Sequence, residues 1–373
     1  MALFAAVITT TSPMLIEIAN AYNLDMSGSG FVISASYIGF FAFIFIGGLA
    51  CSVFSKKTVL SLAMAGFSFT LLCIRFVHSY VLLCILMMFI GGFGGILESL
   101  VSSLVFEVNP NNTSFYVNMT QVFFGVGALL GPIAAGFALT IGVKWVNCYS
   151  FAGIASVLLT LMFVFVRAPD IKRYNTISPG KLNQILRNRK FMFICVCMIF
   201  YSGAEIGCWG WMSTFVKERL NFSVLESGIA VGVFWMSMTL GRIVCGQFTL
   251  RYKPRNIIIM LALMSSVVTM VSAISNARTI AWIVIALLGF TYSSQWPLIV
   301  SYGGDFSGTS SGIVFSILVG SGGVGTIVIP YFMGVIGQHA SVNMAMASPS
   351  LFLLAVGLIF LFLIKPSTEP IKV

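Results

Sequence analysis

Charge is what this chain has least of. Only 8% of its 373 residues are Asp, Glu, Lys or Arg, while 58% are hydrophobic; an ordinary soluble domain carries roughly 25% charged residues. No water-facing surface can be built from that composition, so a bilayer must act as solvent. Histidine is scarce: His78 and His339 are the two, and both fall in outer loops without forming a cluster. The eight cysteines mostly lie inside apolar stretches. Cys195 and Cys197 would point about 200° apart on a helix and cannot readily share a metal. A Walker loop with its lysine, an H-E-x-x-H motif and a nucleophile elbow are all missing. Nucleotide hydrolysis and covalent catalysis are therefore unsupported, and the chain reads as a non-enzyme with no metal and no cofactor. No basic leader precedes the first apolar run, so a cleaved signal peptide is not expected.

What is present is apolar length. A spanning helix needs about 20 mainly apolar residues, and twelve stretches qualify. They lie near 1–19, 30–52, 58–76, 80–106, 114–140 and 145–167, then near 191–216, 225–249, 256–274, 279–302, 308–336 and 346–364. The net charge of +10 could suggest a nucleic-acid partner, but its distribution argues against one. Most basic residues, including Lys56, Lys57, Arg167, Arg189, Arg242, Arg251, Arg255 and Lys365, fall on one side of the twelve-span layout. The positive-inside rule makes that side cytoplasmic, together with both termini, in a multi-pass cell-membrane protein.

The chain also repeats itself. Gly125, Val126, Gly127, Pro132 and Gly136 recur as Gly323, Val324, Gly325, Pro330 and Gly334, each displaced by 198 positions (323 − 125). The same displacement carries Gly48 to Gly246 and Lys57 to Arg255. Six spans per copy place both copies in the membrane with the same orientation. The expected fold is all-α, two parallel six-helix repeats about an axis along the membrane normal. The expected bundles are 1–167 and 191–365, joined by a cytoplasmic linker at 168–190 and followed by a tail at 366–373. Gly125, Gly127, Pro132, Gly323, Gly325 and Pro330 are read as helix-packing positions, since paired glycines thin a helix and proline bends it.

Acids inside spans are costly and are functional candidates by default. Glu205 falls near the midplane of the seventh span, with Trp209 one turn on. A carboxylate accepts hydroxyl hydrogens and an indole stacks on a sugar's C–H face. Glu98, flanked by Gly91, Gly92, Gly94 and Gly95, is a candidate for solute or proton binding, with a structural pairing to Arg242 as the alternative. The displacement of 198 sends Glu98 onto Trp296, inside Ser293-Ser294-Gln295-Trp296-Pro297. A proline there frees backbone carbonyls, as in the broken helices that line solute cavities. Gln295, Trp296, Tyr292 and Trp211 join the candidate solute-binding set. Glu17, Asp25, Glu107, Glu218, Glu226 and Asp305 are read as interfacial.

These residues resemble the major facilitator superfamily over essentially the whole chain. That family's signature, Gly-x-Leu-x-Asp-Arg-x-Gly-Arg-Arg, is similar to the stretch from Gly48 to Lys57 and to the stretch from Gly246 to Arg255. The resemblance implies a cytoplasmic gate formed by Gly48, Lys56, Lys57, Gly241, Arg242, Gly246, Arg251 and Arg255. Ser52 and Leu250 stand where the signature has its acid, so a different latch is expected. Gly94-Gly95-Ile96-Leu97-Glu98-Ser99, Asn118-Met119-Thr120-Gln121 and Tyr201-Ser202-Gly203-Ala204-Glu205 are most similar to the fucose/glucose-galactose proton symporters. That likeness implies cavity roles for Glu98 and Gln121. The expected function is secondary active transport of a small polar solute, a monosaccharide first, coupled to a proton through Glu98 or Glu205 in preference to sodium, and by a monomer. Thirty-four phenylalanines and 19 methionines keep an exporter of hydrophobic solutes as the alternative, and the missing gate acid keeps a non-transporting sensor of the same fold.

Overall fold

The computed structural model describes residues 1–108, 113–166, 187–249, 251–274, 277–304 and 311–364. Most of the linker, the C-terminal tail and Asp305 lie outside them. Among the described residues fourteen helices carry the fold: α1 (Ala2–Tyr22), α2 (Met26–Val53), α3 (Lys56–Cys73), α4 (Tyr80–Val108), α5 (Thr113–Thr140), α6 (Trp145–Phe165), α7 (Arg189–Leu220), α8 (Val224–Phe248), α9 (Pro254–Ile274), α10 (Arg278–Tyr292), α11 (Gln295–Gly304), α12 (Ser311–His339), α13 (Val342–Ala347) and α14 (Pro349–Leu358). Among the described residues there is no strand. They make 12 candidate membrane spans; α10 and α11 share the tenth, and α13 and α14 share the twelfth. The outward faces are apolar, with Leu62, Phe69, Phe151, Met162, Val267 and Ile283 among many exposed hydrophobic side chains. Such a surface is stable only in lipid.

Most boundaries fall within a few residues of the expected ones, and the differences have local causes. The seventh span runs on to Leu220 rather than 216, taking Lys217 and Arg219 into its last turn. Cations there complement the negative end of the helix dipole. It also starts at Arg189, inside the segment assigned to the linker, because Asn188 caps it by accepting from the N–H groups of Lys190 and Phe191. The second span starts at Met26 rather than 30, because Asp25 accepts from the Gly28 N–H and acts as N-cap.

The repeat extends into the turns. Asn23 closes α1 with φ 52°, and Asn221 closes α7 with φ 53°; these are the two non-glycine positive-φ residues described, and 23 + 198 = 221. Asparagine tolerates this left-handed region better than other side chains. Two residues on, Asp25 caps α2, and Ser223 caps α8 in a capping box with Glu226. Two copies of one sequence pattern thus fold as two copies of one helix–turn–helix.

The glycine motif shows how the copies pack. The second glycine of each copy faces the first helix of its own half. A Cβ on Gly127 would collide with the Ala2 carbonyl of α1, and one on Gly325 with the Ile199 carbonyl of α7. The first glycine faces the opposite half: a Cβ on Gly125 would lie 2.9 Å from Thr239 Oγ1 of α8, and one on Gly323 would lie 2.6 Å from the Phe41 ring of α2. The prolines continue the pairing, with the Pro132 carbonyl against Gly228 and the Pro330 carbonyl against Gly30. Phe41 and Thr239, and Gly30 and Gly228, are again 198 apart. Helix α5 therefore lies on α8 as α12 lies on α2, and small residues let the backbones meet.

Candidate functional site

Helix α7 presents Tyr201, Glu205 and Trp209 one turn apart on a single face, as residues at i, i+4 and i+8 must be. All three are buried. The Tyr201 hydroxyl donates to the Tyr292 carbonyl at 2.6 Å. That carbonyl ends α10, where the tenth span breaks.

The break is held by side chains. Pro297 has no N–H, so the Ser293 carbonyl four residues earlier loses its helical donor. Arg242 of α8 supplies the replacement, its Nε donating to Ser293 O at 3.1 Å. Gly241 next to it permits this approach, because a Cβ there would meet Ser293 Cβ at 2.7 Å and the Phe290 carbonyl at 3.0 Å. Gln295 Nε2 donates to the Thr291 carbonyl and to Ser265 Oγ, both at 3.0 Å. Tyr292 Oη meets Thr269 Oγ1 at 3.1 Å. Three consecutive carbonyls, of Thr291, Tyr292 and Ser293, are thus each held by a side chain. Buried backbone groups without such partners would be costly in lipid.

Arg242 also interacts electrostatically with Glu205 and with Glu98 of α4. Tyr37 of α2 is within electrostatic reach of both acids. One guanidinium, two carboxylates and two phenols from α2, α4, α7 and α8 therefore lie within electrostatic range at the seam of the two halves. Above Arg242 on α8, two turns away, Trp235 lies 6.0 Å from Trp209 and 5.7 Å from Phe124 of α5, ring centre to ring centre. Gln121, half-buried on α5, is one turn from Phe124. The result is an ionic layer beneath an aromatic one.

The other candidates sit apart. Trp211 is buried, and its indole N–H donates to the Pro330 carbonyl at 3.0 Å; its ring fills the space beside Gly30 and Gly334. Trp296 is half-buried against the core. Lys57 Nζ donates to the Val164 carbonyl at the end of α6, at 2.9 Å. Its repeat partner Arg255 donates to Ile364 O at 2.7 Å and Leu361 O at 2.9 Å, at the end of the twelfth span. Each caps the last span of its own half. Arg251 is exposed beyond α8, and Lys56 is buried at the start of α3. Among the described residues, a Cβ on Gly246 would meet nothing within 4 Å; Gly48 stands at the corresponding place near the end of α2. At the opposite end of the bundle the halves touch: Lys217 pairs with Glu17 at 3.7 Å, and Gly136 lies against the Val224 carbonyl. No group of three potential metal ligands occurs among the described residues.

Sequence reasoning missed Tyr37, Tyr201 and Trp235 as site residues. One signal for them was available, since 37 + 198 = 235 places an aromatic residue with a polar edge at the same point of both copies.

A family model for the Major Facilitator Superfamily matches residues 1–317. The chain belongs to the major facilitator superfamily. A TsgA homolog from Buchnera aphidicola subsp. Baizongia pistaciae is 23% identical over 99% of this chain and 95% of its own length. Among solved structures, a D-xylose-proton symporter superposes with a TM-score of 0.83 at 14% identity, covering 98% of this chain and 95% of that one. The Escherichia coli fucose:proton symporter FucP gives 0.63 at 18% identity, with 97% of each chain covered. Members of this family are transporters rather than enzymes, and the chain is a multi-pass membrane protein of the major facilitator fold.

Proposed function

We propose that this protein is a secondary active transporter of a small neutral polar solute, a monosaccharide first, driven by protons through alternating access. The observation that carries the reading is the Arg242 junction. One arginine holds the broken tenth span and at the same time faces Glu98 and Glu205. A proton arriving on either acid removes a negative charge from beside Arg242 and so changes what holds the break. The aromatic layer of Trp209, Trp235 and Phe124 supplies flat faces for a sugar ring. The bundles 1–167 and 191–365 rock as the two halves, with 168–190 as linker and 366–373 as tail, and the protein works as a monomer in the lipid bilayer.

The basic end that carries Lys57, Arg251 and Arg255 faces the cytoplasm, with both termini. In this orientation the Glu17–Lys217 pair closes the outer side, and the solute site opens inward. Gln121 offers a half-buried amide from the first half, and Gln295, its amide N–H groups held by Thr291 and Ser265, keeps a buried carbonyl oxygen that has no partner among the described residues.

The test is a thermal-shift screen of the purified protein with monosaccharides, amino acids and hydrophobic drugs. A ligand that binds the folded state raises the melting temperature in proportion to its occupancy. Stabilisation by a monosaccharide and not by drugs is the expected result. Stabilisation by drugs alone would replace this reading with that of an exporter of hydrophobic solutes.

A further inference from the structure

We propose that Trp235 and Trp209 form a two-donor subsite whose indole N–H groups hydrogen-bond oxygen atoms of a neutral hydroxylated solute. This rests on the transport reading above and adds a contact to it. Both side chains are more than nine-tenths buried, Trp209 at 2% and Trp235 at 5% exposure. Neither Nε1 has a hydrogen-bond partner among the described residues. Two such donors sit in adjacent rings, 6.0 Å apart and tilted by 58°.

Packing alone does not account for this. Trp211, on the same helix and equally buried, satisfies its N–H on the Pro330 carbonyl. The backbone around Trp209 is well provided for, since its carbonyl accepts from Ser12 Oγ at 2.9 Å. The indole edges of Trp209 and Trp235 are left over, and they lie at the seam of α5, α7 and α8, where the two halves meet. An unpaired buried donor is costly, so the fold keeps two at the place where a visiting group can satisfy them.

The chemistry of the visitor follows from the donors. An indole N–H donates and never accepts, so its partner is a hydroxyl, ring or carbonyl oxygen. Glu205, one turn below Trp209, is an acceptor when ionised. A group that accepts at one edge and donates at the next, within a few ångströms, is a run of hydroxyls on one ring. The repeat supports the placement, because Trp235 has an aromatic counterpart with a polar edge, Tyr37, in the facing half. Each copy brings one aromatic polar edge to the same depth.

The experiment uses full-length protein carrying 15N in its six tryptophans, in detergent micelles, with Trp209→Phe and Trp235→Phe to assign the indole signals. D-xylose, L-fucose and D-galactose are titrated, and thermal shift reports binding independently. We expect a stabilising sugar to move the Trp209 and Trp235 N–H resonances downfield while that of Trp211 stays still. Each phenylalanine variant, which keeps an aromatic face and loses the N–H, should bind about tenfold more weakly, as loss of one neutral hydrogen bond does. A sugar that stabilises the wild type without moving the two signals, or that binds both variants as tightly, would overturn the subsite and leave the transport reading standing. If none of the three sugars stabilises the wild type, the sugar reading and the subsite fall together.

Discussion

The two halves agree where backbones touch and differ where side chains face the centre. Asn23 and Asn221 make the same turn, Gly127 and Gly325 press on the same neighbour, and Lys57 and Arg255 cap the same helix end. Around the central site the correspondence fails for the charged residues. Glu205 answers to Val7, Arg242 to Ile44 and Glu98 to Trp296. Helix α4 passes Glu98 unbroken, whereas the equivalent span in the second half breaks after Tyr292. Duplication supplied a symmetric frame, and loss of symmetry marks the residues that need a particular partner. An acid or an arginine in a membrane is kept only where something uses it.

The largest effect should come from breaking the agreement. Gly127→Val and Gly325→Val both drive a side chain into a backbone carbonyl that cannot move away, which costs at least about 3 kcal/mol. We expect both variants to lose monomeric protein in fluorescence size-exclusion profiles, and to the same degree. Gly246→Ala, facing open space among the described residues, should elute as wild type. A well-folded Gly325→Val beside a failed Gly127→Val would show the copies to be unequal in packing.

Next comes the arginine. Arg242→Gln removes a charged donor from the Ser293 carbonyl, an interaction of about 1.5–3 kcal/mol, and leaves Glu98 and Glu205 without their cation. Solute uptake should fall at least about tenfold in proteoliposomes, whereas Ile44→Ala, the same position in the first half, should cost less than about twofold. Pro297→Ala acts on the same joint from the other side. It returns an N–H to the Ser293 carbonyl, so the tenth span can run through and Arg242 is released. Pro297 lies in the first turn of α11, where proline is tolerated, so the gain comes from joining α10 to α11; the melting temperature should rise while uptake slows. A faster transporter would mean that the break is not a working part.

The smallest effect tests the turns. Asp25→Ala and Ser223→Ala each delete an N-cap, and each should cost about 1 kcal/mol in a thermal melt. The first should depend on pH more strongly. The Gly28 N–H, helped by the Ser27 hydroxyl, holds the Asp25 carboxyl below its ordinary range. A depressed folded-state pKa gives stability that is present above the unfolded value of about 4 and is lost as the pH falls through the folded one. The difference between wild type and Asp25→Ala should therefore shrink below about pH 4, and that for Ser223→Ala should shrink less, because the Ser223 backbone N–H that chiefly holds the Glu226 carboxyl low is kept in the variant.

Much of the frame was legible in the sequence, and less of the site. Apolar length located the twelve spans, because a bilayer demands it. The 198-residue displacement exposed the repeat, because packed glycines tolerate no substitute. It could not tell that Lys57 and Arg255 turn away from the opposite half to cap α6 and the twelfth span. A lysine near a helix end looks the same whichever carbonyl it reaches. Arg242 was visible as part of a signature but not as the partner of Ser293, since a missing proline N–H leaves no mark on the residue that replaces it. Trp235 was hidden among many aromatic residues, and only its unpaired N–H sets it apart.

The most direct test of the account is transport by Glu205→Gln in proteoliposomes, measured in two modes with a labelled monosaccharide that stabilises the wild type. The side chain keeps its shape and can no longer carry a proton in exchange for a charge. We expect exchange of labelled for unlabelled solute to continue, and accumulation driven by an imposed pH gradient to vanish. Accumulation at the wild-type level in this variant, and again in Glu98→Gln, would contradict the claim that protons drive the cycle through the acids at the Arg242 junction.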